Sequence, residues 1–250
     1  MNSIKNSEKQ KELIILPIKI DKFSLFYGIL LGDGCLSRSK RSYLISVVGH
    51  INDDLRFFFD VVRPTLNDLI NKNPRIKKRP KQGVLQILIS HKELFNILKK
   101  NEFPVGKKGT TLNIPLHLDM RRIIQGYFAT DGCLVLTKNP SKLYPRIEFS
   151  SISNIILEQT LEYLTKLGMN GNIYISHKYS NPKHNTLYRL QFNGRDNLEI
   201  FRKNVGFVNP KHTEKYHYFI KKRYGEGETF NVKSTSTFLN SRLLRSPAQR

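Results

Sequence analysis

Two hydrophobic segments of this 250-residue chain end in the same four residues. The first, FYGILLGDGCL, ends with Asp33-Gly34-Cys35-Leu36, and the second, IIQGYFATDGCL, ends with Asp131-Gly132-Cys133-Leu134. The two acids are 98 positions apart, and the residues that follow each of them repeat the same succession of apolar and polar patterns. A repeat of this length predicts a tandem duplication, in which one structural unit occurs twice along the chain.

Each copy carries the same order of predicted elements: helix, two strands, helix, two strands and helix. We therefore predict an α+β fold made of two αββαββα halves. The predicted divisions are an N-terminal extension (1–21), a first half (22–108), a linker (109–118), a second half (119–224) and a polar C-terminal tail (225–250).

Both acids share a helical stripe with apolar residues. The spacing i, i+3, i+4, i+7 holds for Phe26, Ile29, Leu30 and Asp33, and again for Ile124, Tyr127, Phe128 and Asp131. Small residues occupy another face of each helix: Gly28 and Gly32 in the first copy, Gly126 and Thr130 in the second. Small residues four apart let two helix backbones approach closely, which would bring the two helix ends together.

Two carboxylates brought together in this way need a compensating charge. Each faces the negative end of its helix dipole, and their mutual repulsion would raise one pKa. A divalent cation removes both costs, and carboxylate oxygens suit Mg²⁺ together with phosphate oxygens and water. One Asp-Gly after a helix is usually only a turn. Two matching copies within a whole-domain repeat instead indicate a metal-dependent phosphodiesterase site.

The charge of the chain indicates the kind of partner. It has 42 Lys and Arg against 20 Asp and Glu, a net charge of +22, so nucleic acid is the expected polyanion. A membrane surface is the rival, but the sequence has no long amphipathic basic helix and no run of about 18 apolar residues. Two cysteines without metal-ligand spacing predict neither a disulfide framework nor a zinc site. We expect an intracellular protein with no membrane partner.

The segments FYGILLGDG (26–34) and IQGYFATDG (124–132) resemble the two signature copies of the single-chain LAGLIDADG homing endonucleases. The resemblance extends over about residues 22–224, because the order of helices and strands in each half also fits. Leu31 and Ala129 stand where the family motif has its first Asp. The second acid, which is the metal ligand in this family, is present in both copies.

This resemblance implies a pseudo-twofold enzyme with the signature helices packed at the interface and two sheets forming a saddle over duplex DNA. Asp33 and Asp131 would bind Mg²⁺, with Mn²⁺ able to substitute, and Gly32 and Thr130 would complete the metal site. The enzyme would cut one phosphodiester in each strand across the minor groove, leaving short 3′ overhangs. By position, the further catalytic residues would be His50 and Ser151 at strand ends, Lys108 (or Lys107) and Lys211 (or Lys215).

Basic residues interrupt the alternating strand patterns, which favours a DNA-binding sheet over a solvated charge run. Lysines there would neutralise phosphates, whereas arginines and amides could read base edges in the major groove. In the first half the predicted DNA-binding residues are Arg38, Lys40, Arg41, Arg75, Lys77, Lys78, Arg79, Lys81 and Gln86. In the second half they are Lys138, Lys142, Arg146, Lys178, Lys183, Arg189 and Gln191, with Asn185 as a further amide. Since the halves differ, the target should be long and only roughly palindromic.

Two other functions compete with the nuclease. An intron-encoded RNA maturase could use the same fold, with or without cleavage, and would take an intron RNA as its partner. A basic ribosomal or architectural binding protein would explain the charge but not the paired acids. The start at Met and the lack of a recognised splicing motif favour an intron-encoded or free-standing monomer, in a prokaryotic cytoplasm or an organelle.

Overall fold

The computed structural model describes residues 20–139, 142–181 and 184–224. Within these ranges the chain forms two four-stranded antiparallel sheets, each associated with helices. The strand order is β1-β2-β4-β3 in the first sheet and β5-β6-β8-β7 in the second, so the two halves share one topology. The predicted α+β fold and its duplication are confirmed.

The first half begins with helix α1 (Ile20–Asp33), which leads directly into the hairpin β1 (Gly34–Arg38) and β2 (Tyr43–His50). A continuous helical stretch follows: α2 (Leu55–Phe57), a π-helical segment (Phe58–Val62) and α3 (Arg63–Ile70). Strands β3 (Ile76–Arg79) and β4 (Val84–Ser90) flank a short 3₁₀ turn that ends at Gly83, which has a φ of 66°. Helix α4 (Lys92–Lys100) closes the half.

The second half repeats this plan from helix α5 (Met120–Thr130). Its elements are β5 (Gly132–Asn139), β6 (Lys142–Ser151), α6 (Asn154–Lys166), β7 (Gly171–His177), β8 (Leu187–Asn193) and α7 (Arg195–Asn204). An additional helix, α8 (Pro210–Tyr224), packs against β5 and β6. The apolar stripes predicted on the two signature segments are buried in the core: Phe26, Ile29, Leu30, Ile124, Tyr127 and Phe128.

The glycine of each Asp-Gly pair lets the chain turn from helix to strand in one step. A side-chain carbon on Gly34 would lie 2.4 Å from the Cα of Leu30, and one on Gly132 would lie 2.5 Å from the Cα of Phe128. The first strand of each half therefore starts against the last turn of its own helix. This close approach fixes the acid at the junction, as the final residue of α1 or the C-cap of α5.

The linker between the halves is held by side chains of the second half. Gln159 bonds both the N–H and the carbonyl of Ile114, at 2.7 and 2.9 Å, and Ser153 donates to the carbonyl of Leu112 at 2.6 Å. Asp119 caps the start of α5 by accepting from the N–H of Arg122. The backbone N–H of Asp119 in turn donates to Ser24 on α1, which connects the two signature helices at their N-terminal ends.

No helix in the described part of the chain is long and apolar enough to cross a membrane. Cys35 and Cys133 are both free thiols. The predicted N-terminal extension up to Lys19, the C-terminal tail from residue 225 and the predicted DNA-binding residue Lys183 lie outside the described residues.

Candidate active site

The signature helices α1 and α5 touch through their backbones at the predicted small residues. A side-chain carbon on Gly28 would lie 2.1 Å from the carbonyl oxygen of Ile123, and one on Gly126 would lie 2.2 Å from that of Leu25. At the end of the helix pair, a carbon on Gly32 would lie 2.1 Å from Thr130 Oγ1 and 3.2 Å from Asp131 Cγ. The carboxylate of the second half therefore lies beside the last turn of the first-half helix.

This packing places Asp131 close enough to Asp33 for its charge to raise the pKa of Asp33. Burial and the negative charges of Asp131 and Asp54 raise the pKa of Asp33 to about 7. Loss of hydration among the surrounding protein atoms raises the pKa of Asp131 to about 6, although this side chain keeps access to solvent. The positive charges of Lys108 and Lys211 lower the pKa of both acids. Burial therefore outweighs the two lysines, and both acids hold their protons to a higher pH than a free aspartate does.

Lys108 lies at the C-terminal end of α1. Its ammonium group donates to the carbonyls of Leu30 at 3.2 Å and Leu31 at 2.8 Å, and also to that of Gly32. These carbonyls have no partner within the helix, so the ammonium satisfies them and offsets the negative end of the helix dipole. Burial lowers the pKa of Lys108, while Asp131 and Asp33 raise it. Lys107, the alternative, is exposed.

Lys211, the matching basic residue of the second half, is bound differently. Its ammonium group donates to Asp54 Oδ1 at 2.8 Å, across the boundary between the halves. Asp54 also accepts from the backbone N–H of His50 at 2.9 Å and from the amide of Asn209 at 3.4 Å. Lys211 and these hydrogen bonds outweigh burial and lower the pKa of Asp54. Asp54 is thus an ionised third acid beside the pair.

Asn209 connects this network to the second signature helix. Its amide donates to the carbonyl of Ala129 at 2.8 Å, in the last turn of α5, and the residue is almost fully buried. The two helix ends are therefore capped by different groups, an ammonium on α1 and an amide on α5. Sequence reasoning missed both Asp54 and Asn209, because neither belongs to the repeated motif.

His50 and Ser151 are the last residues of β2 and β6, as their predicted position requires. Strand pairing shows that they are not equivalent, since Gly34 pairs with Val47 and Gly132 pairs with Phe149. The residue matching Ser151 is Gly49, where a side-chain carbon would lie 2.5 Å from the ring of Phe58. His50 Nδ1 instead lies 3.1 Å from Asp53 Oδ2 and accepts from the backbone N–H of Asp53 at 3.4 Å. Ser151 accepts from the N–H of Ser153.

The paired carboxylates fit a divalent cation that takes its remaining ligands from water or from a bound phosphate. No group of three or more His, Cys, Asp or Glu with a metal-binding arrangement occurs in residues 20–139, 142–181 and 184–224. Two carboxylates suit Mg²⁺, which is commonly held by one or two acids with phosphate oxygens and water. The Thr130 hydroxyl donates to backbone carbonyls of α5, including that of Tyr127 at 3.0 Å. The Gly32 carbonyl, the other predicted ligand, accepts from Lys108 and keeps a second lone pair.

The outer face of the first sheet, opposite the helices, carries part of the predicted DNA-binding set. Lys77 pairs with Gln86 in the register, and the guanidinium of Arg79 donates to the Gln86 side chain at 2.8 Å. Arg38 alternates to the helix side, where its guanidinium lies 5.1 Å from the ring centroid of Tyr43. The remaining predicted basic residues of this half, all exposed, lie in turns, before β3 or on the edge strand: Lys40, Arg41, Arg75, Lys78 and Lys81.

The outer face of the second sheet includes Lys142, Arg146, Arg189 and Gln191. Between the two arginines lies Glu148, which sequence reasoning missed and whose side chain is only 3% exposed. Its oxygens lie 3.3 Å from Arg146 Nε and 3.9 Å from Arg189 Nε. The signal was present in the sequence, because residues two apart on a strand share a face. Lys138 lies on the opposite face of the sheet, which is the face toward the helices. Lys178 and Asn185 are exposed and lie beyond the ends of β7 and β8.

Comparison with known proteins supports the predicted resemblance. Residues 119–206 match the family model described as a LAGLIDADG-like domain. The chain is 28% identical over 209 residues to a probable translation initiation factor IF-2 of Methanocaldococcus jannaschii, covering 80% of this chain and 16% of that protein. It is 27% identical over 188 residues to reverse gyrase of the same organism, covering 74% of this chain and 10% of that protein. It thus spans about a sixth or less of these relatives.

Solved structures share the fold. I-DmoI in complex with DNA and Ca has a TM-score of 0.51 and 16% identity, covering 79% of this chain and 98% of that chain. The LAGLIDADG meganuclease I-AabMI bound to uncleaved DNA has a TM-score of 0.51 and 12% identity, covering 82% of this chain and 99% of that chain. These likenesses show the fold, and both neighbours are complexes with DNA.

The predicted resemblance is confirmed: the second half matches the model of a LAGLIDADG-like domain. The two halves together have the fold of the LAGLIDADG homing endonucleases to which they are similar.

Proposed function

We propose that this chain is a site-specific double-strand DNA endonuclease that hydrolyses one phosphodiester in each strand with a divalent metal. The observation that carries the proposal is the pair Asp33 and Asp131, which end two helices packed so closely that no side chain fits between them at Gly28 and Gly126. Burial raises both pKa values, together with the charges of Asp131 and Asp54 in the case of Asp33. A bound cation would favour the ionised form of both acids. A structural ion pair would instead lower the pKa of a carboxylate.

In this proposal Asp33 and Asp131 hold Mg²⁺, with Mn²⁺ as a substitute, and the backbone at Gly32 and Thr130 adds ligands. A bound divalent cation would supply Lewis acidity and an activated water at the scissile phosphate. Lys108 and Lys211 contribute positive charge beside the acids, where negative charge develops on the phosphate. His50 and Ser151, at strand ends in their respective halves, are proposed to hold water. A doubly substituted variant of I-DmoI has been crystallised with its nicked target DNA in the presence of Mn, which supports divalent metal use on this fold.

The two outer sheet faces are proposed to bind successive half-sites of one long DNA duplex as a saddle, with the acids beneath the minor groove between them. Exposed lysines would neutralise phosphates, so binding should weaken steeply with salt. Because the two faces carry different residues, the target is proposed to be only roughly palindromic. Cuts across the minor groove would leave short 3′ overhangs. A single chain contains both halves, so the active form is proposed to be a monomer.

The relatives bear on the origin of the chain. Similar segments occur within two proteins whose names denote different activities, a translation initiation factor and a reverse gyrase. One module inside unrelated proteins is the distribution expected of a mobile insertion. We therefore propose that the chain belongs to a mobile element of an intron or intein-like kind, acting in a prokaryotic cytoplasm or an organelle. An RNA maturase on the same fold is the alternative, and an intron RNA would then be the partner.

The test is cleavage of a randomised duplex library in the presence of Mg²⁺ by the native chain and by Asp33→Asn and Asp131→Asn. We expect the native chain to cut both strands at one long sequence and each variant to lose double-strand cleavage. A variant that still cuts one strand would show that the halves act independently. If the chain cleaves no duplex but binds an intron RNA tightly, the proposed nuclease function is wrong and the maturase function is supported.

A further inference from the structure

Glu148 is an unexpected residue on the outer face of the second sheet. It lies on the central strand β6, pairs in register with Cys133 on β5 and Gln191 on β8, and is buried. A carboxylate on a face that meets a polyanion repels its partner. Its presence there needs an explanation other than DNA affinity.

Fold stability does not supply that explanation. Both carboxylate oxygens of Glu148, together with Nε of Arg146 and Nε of Arg189, are buried and make no hydrogen bond within the described residues. Glu148 therefore lies 3.3 Å from Arg146 and 3.9 Å from Arg189 without forming a hydrogen bond of good geometry to either arginine. Burying a charge in this state costs free energy, and a buried ion pair is weak evidence for stability.

The two arginines are only partly buried, with side-chain exposures of 31% for Arg146 and 27% for Arg189. The contact to Glu148 is made through Nε of each arginine, and the edge formed by the two terminal nitrogens is a different edge of the guanidinium. Those two nitrogens form the fork that binds the O6 and N7 atoms of guanine in the major groove. The charge of the three side chains sums to only +1, which is poor for binding phosphates.

We propose that Glu148 is a positioning residue that orients Arg146 and Arg189 to bind guanines in the half-site under the second sheet. This inference rests on the proposed DNA endonuclease function and adds the base preference of that site. The first sheet lacks the arrangement, because the strand register places Leu44, Ser46 and Gln86 at the matching positions. The guanine preference should therefore occur in one half-site only.

The experiment is selection from a randomised duplex library by binding without divalent cations, so that no cleavage follows. Arg146→Ala and Arg189→Ala first identify the positions that each arginine reads. The native chain should prefer guanine there by roughly 5- to 150-fold, the range for a bidentate contact. Glu148→Gln, which keeps the shape and removes the charge, should reduce the preference at both positions to about threefold or less while other positions keep theirs.

Glu162→Gln is the matched control, since it removes an exposed acid on α6 that pairs with Lys166, away from the sheet. It should leave every base preference unchanged. Glu148→Asp, which keeps the charge but withdraws it by one methylene, should give an intermediate preference and serves if Glu148→Gln does not fold. Thermal unfolding midpoints of the variants show whether each is folded.

Three results would overturn the inference. If the native chain selects a sequence and Glu148→Gln selects it with the same preference, the role of Glu148 fails while DNA recognition stands. The same holds if Glu148→Gln weakens binding equally at all positions. If the native chain selects no sequence, the proposed function and this inference fail together.

Discussion

Lys211 of the second half donates a hydrogen bond to Asp54 of the first half, with Nζ and Oδ1 2.8 Å apart. Asp54 also holds Asn209, and Asn209 caps the last turn of α5 through the carbonyl of Ala129. This network joins the two halves within electrostatic range of Asp33, whose pKa is raised by Asp54 and lowered by Lys211. The pKa of Asp33 thus depends on groups outside the repeated motif.

Asp54→Asn should make the acid pair ionise at lower pH. The substitution removes a negative charge that raises the pKa of Asp33 and frees Lys211, whose charge lowers it. The acid limb of the pH profile for metal-dependent cleavage should therefore move to lower pH. Asp53→Asn is the control, because Asp53 is exposed and pairs with His50 instead. Equal shifts in the two variants, or none in Asp54→Asn, would contradict this assignment.

The acid pair should make the folded chain less stable as pH rises in the absence of divalent cations. Between pH 3.8 and about 7 the folded chain holds a proton on Asp33 that the unfolded chain has lost, so the free energy of unfolding falls across this window. Urea unfolding from pH 4 to 8, with chelator, should find Asp33→Asn more stable than the native chain at pH 8 and equally stable near pH 4. If the difference in the free energy of unfolding between the two proteins does not vary with pH, the raised pKa of Asp33 is wrong.

Mg²⁺ should stabilise the native chain without any DNA present. A cation that binds only the folded state at 100 times its Kd raises the free energy of unfolding by about 2.7 kcal/mol. The increase should be large at pH 8 and smaller at pH 5, since protons then compete for Asp33 and Asp131. Thermal unfolding of the native chain and of Asp33→Asn/Asp131→Asn, each with and without Mg²⁺, measures it. An equal increase in both proteins would place the binding elsewhere.

Lys108→Met should slow cleavage by about 100-fold, the order expected when one electrostatic stabiliser is removed. It should also raise the pKa of the acid pair, because the Lys108 charge lowers the pKa of both acids. The readouts are single-turnover cleavage rates and their pH profile. Lys107→Met offers a neighbouring exposed lysine as the control. Similar losses in the two variants would indicate general DNA attraction rather than a place in the active site.

Gly28→Ala and Gly126→Ala should each destabilise the chain by about 1–3 kcal/mol or more, since the added carbon meets backbone atoms that cannot move aside. Gly109→Ala is the control: its added carbon would have no neighbour closer than 3.9 Å, and its effect should be neutral or slightly stabilising. Chemical denaturation measures all three. If the helix variants unfold like the control, the backbone contact between α1 and α5 is looser than described.

The features that could be predicted from the sequence are those that occur in both copies of the duplication. Because each copy supports the other, it was possible to predict Asp33 and Asp131, the small residues beside them, and the order of helices and strands along the chain. Asp54 was not predicted, because it lies in the loop between β2 and α2, which is longer than the corresponding loop between β6 and α6. His50 and Ser151 were predicted as corresponding residues because each lies at the end of its strand. The register within each sheet instead makes Gly49 the residue of the first half that corresponds to Ser151. Register depends on tertiary packing, here the ring of Phe58 against Gly49.

The backbone contact between the two signature helices has a consequence for how such a chain evolves. At Gly28 and Gly126 selection can accept almost nothing but glycine, whatever the rest of the sequence does. The outer sheet faces carry no such constraint, and in this chain they have already diverged to Leu44 and Ser46 on one side and Arg146 and Glu148 on the other. The outer sheet faces of a duplicated gene can therefore diverge one half at a time, while the contact that joins its two halves stays unchanged.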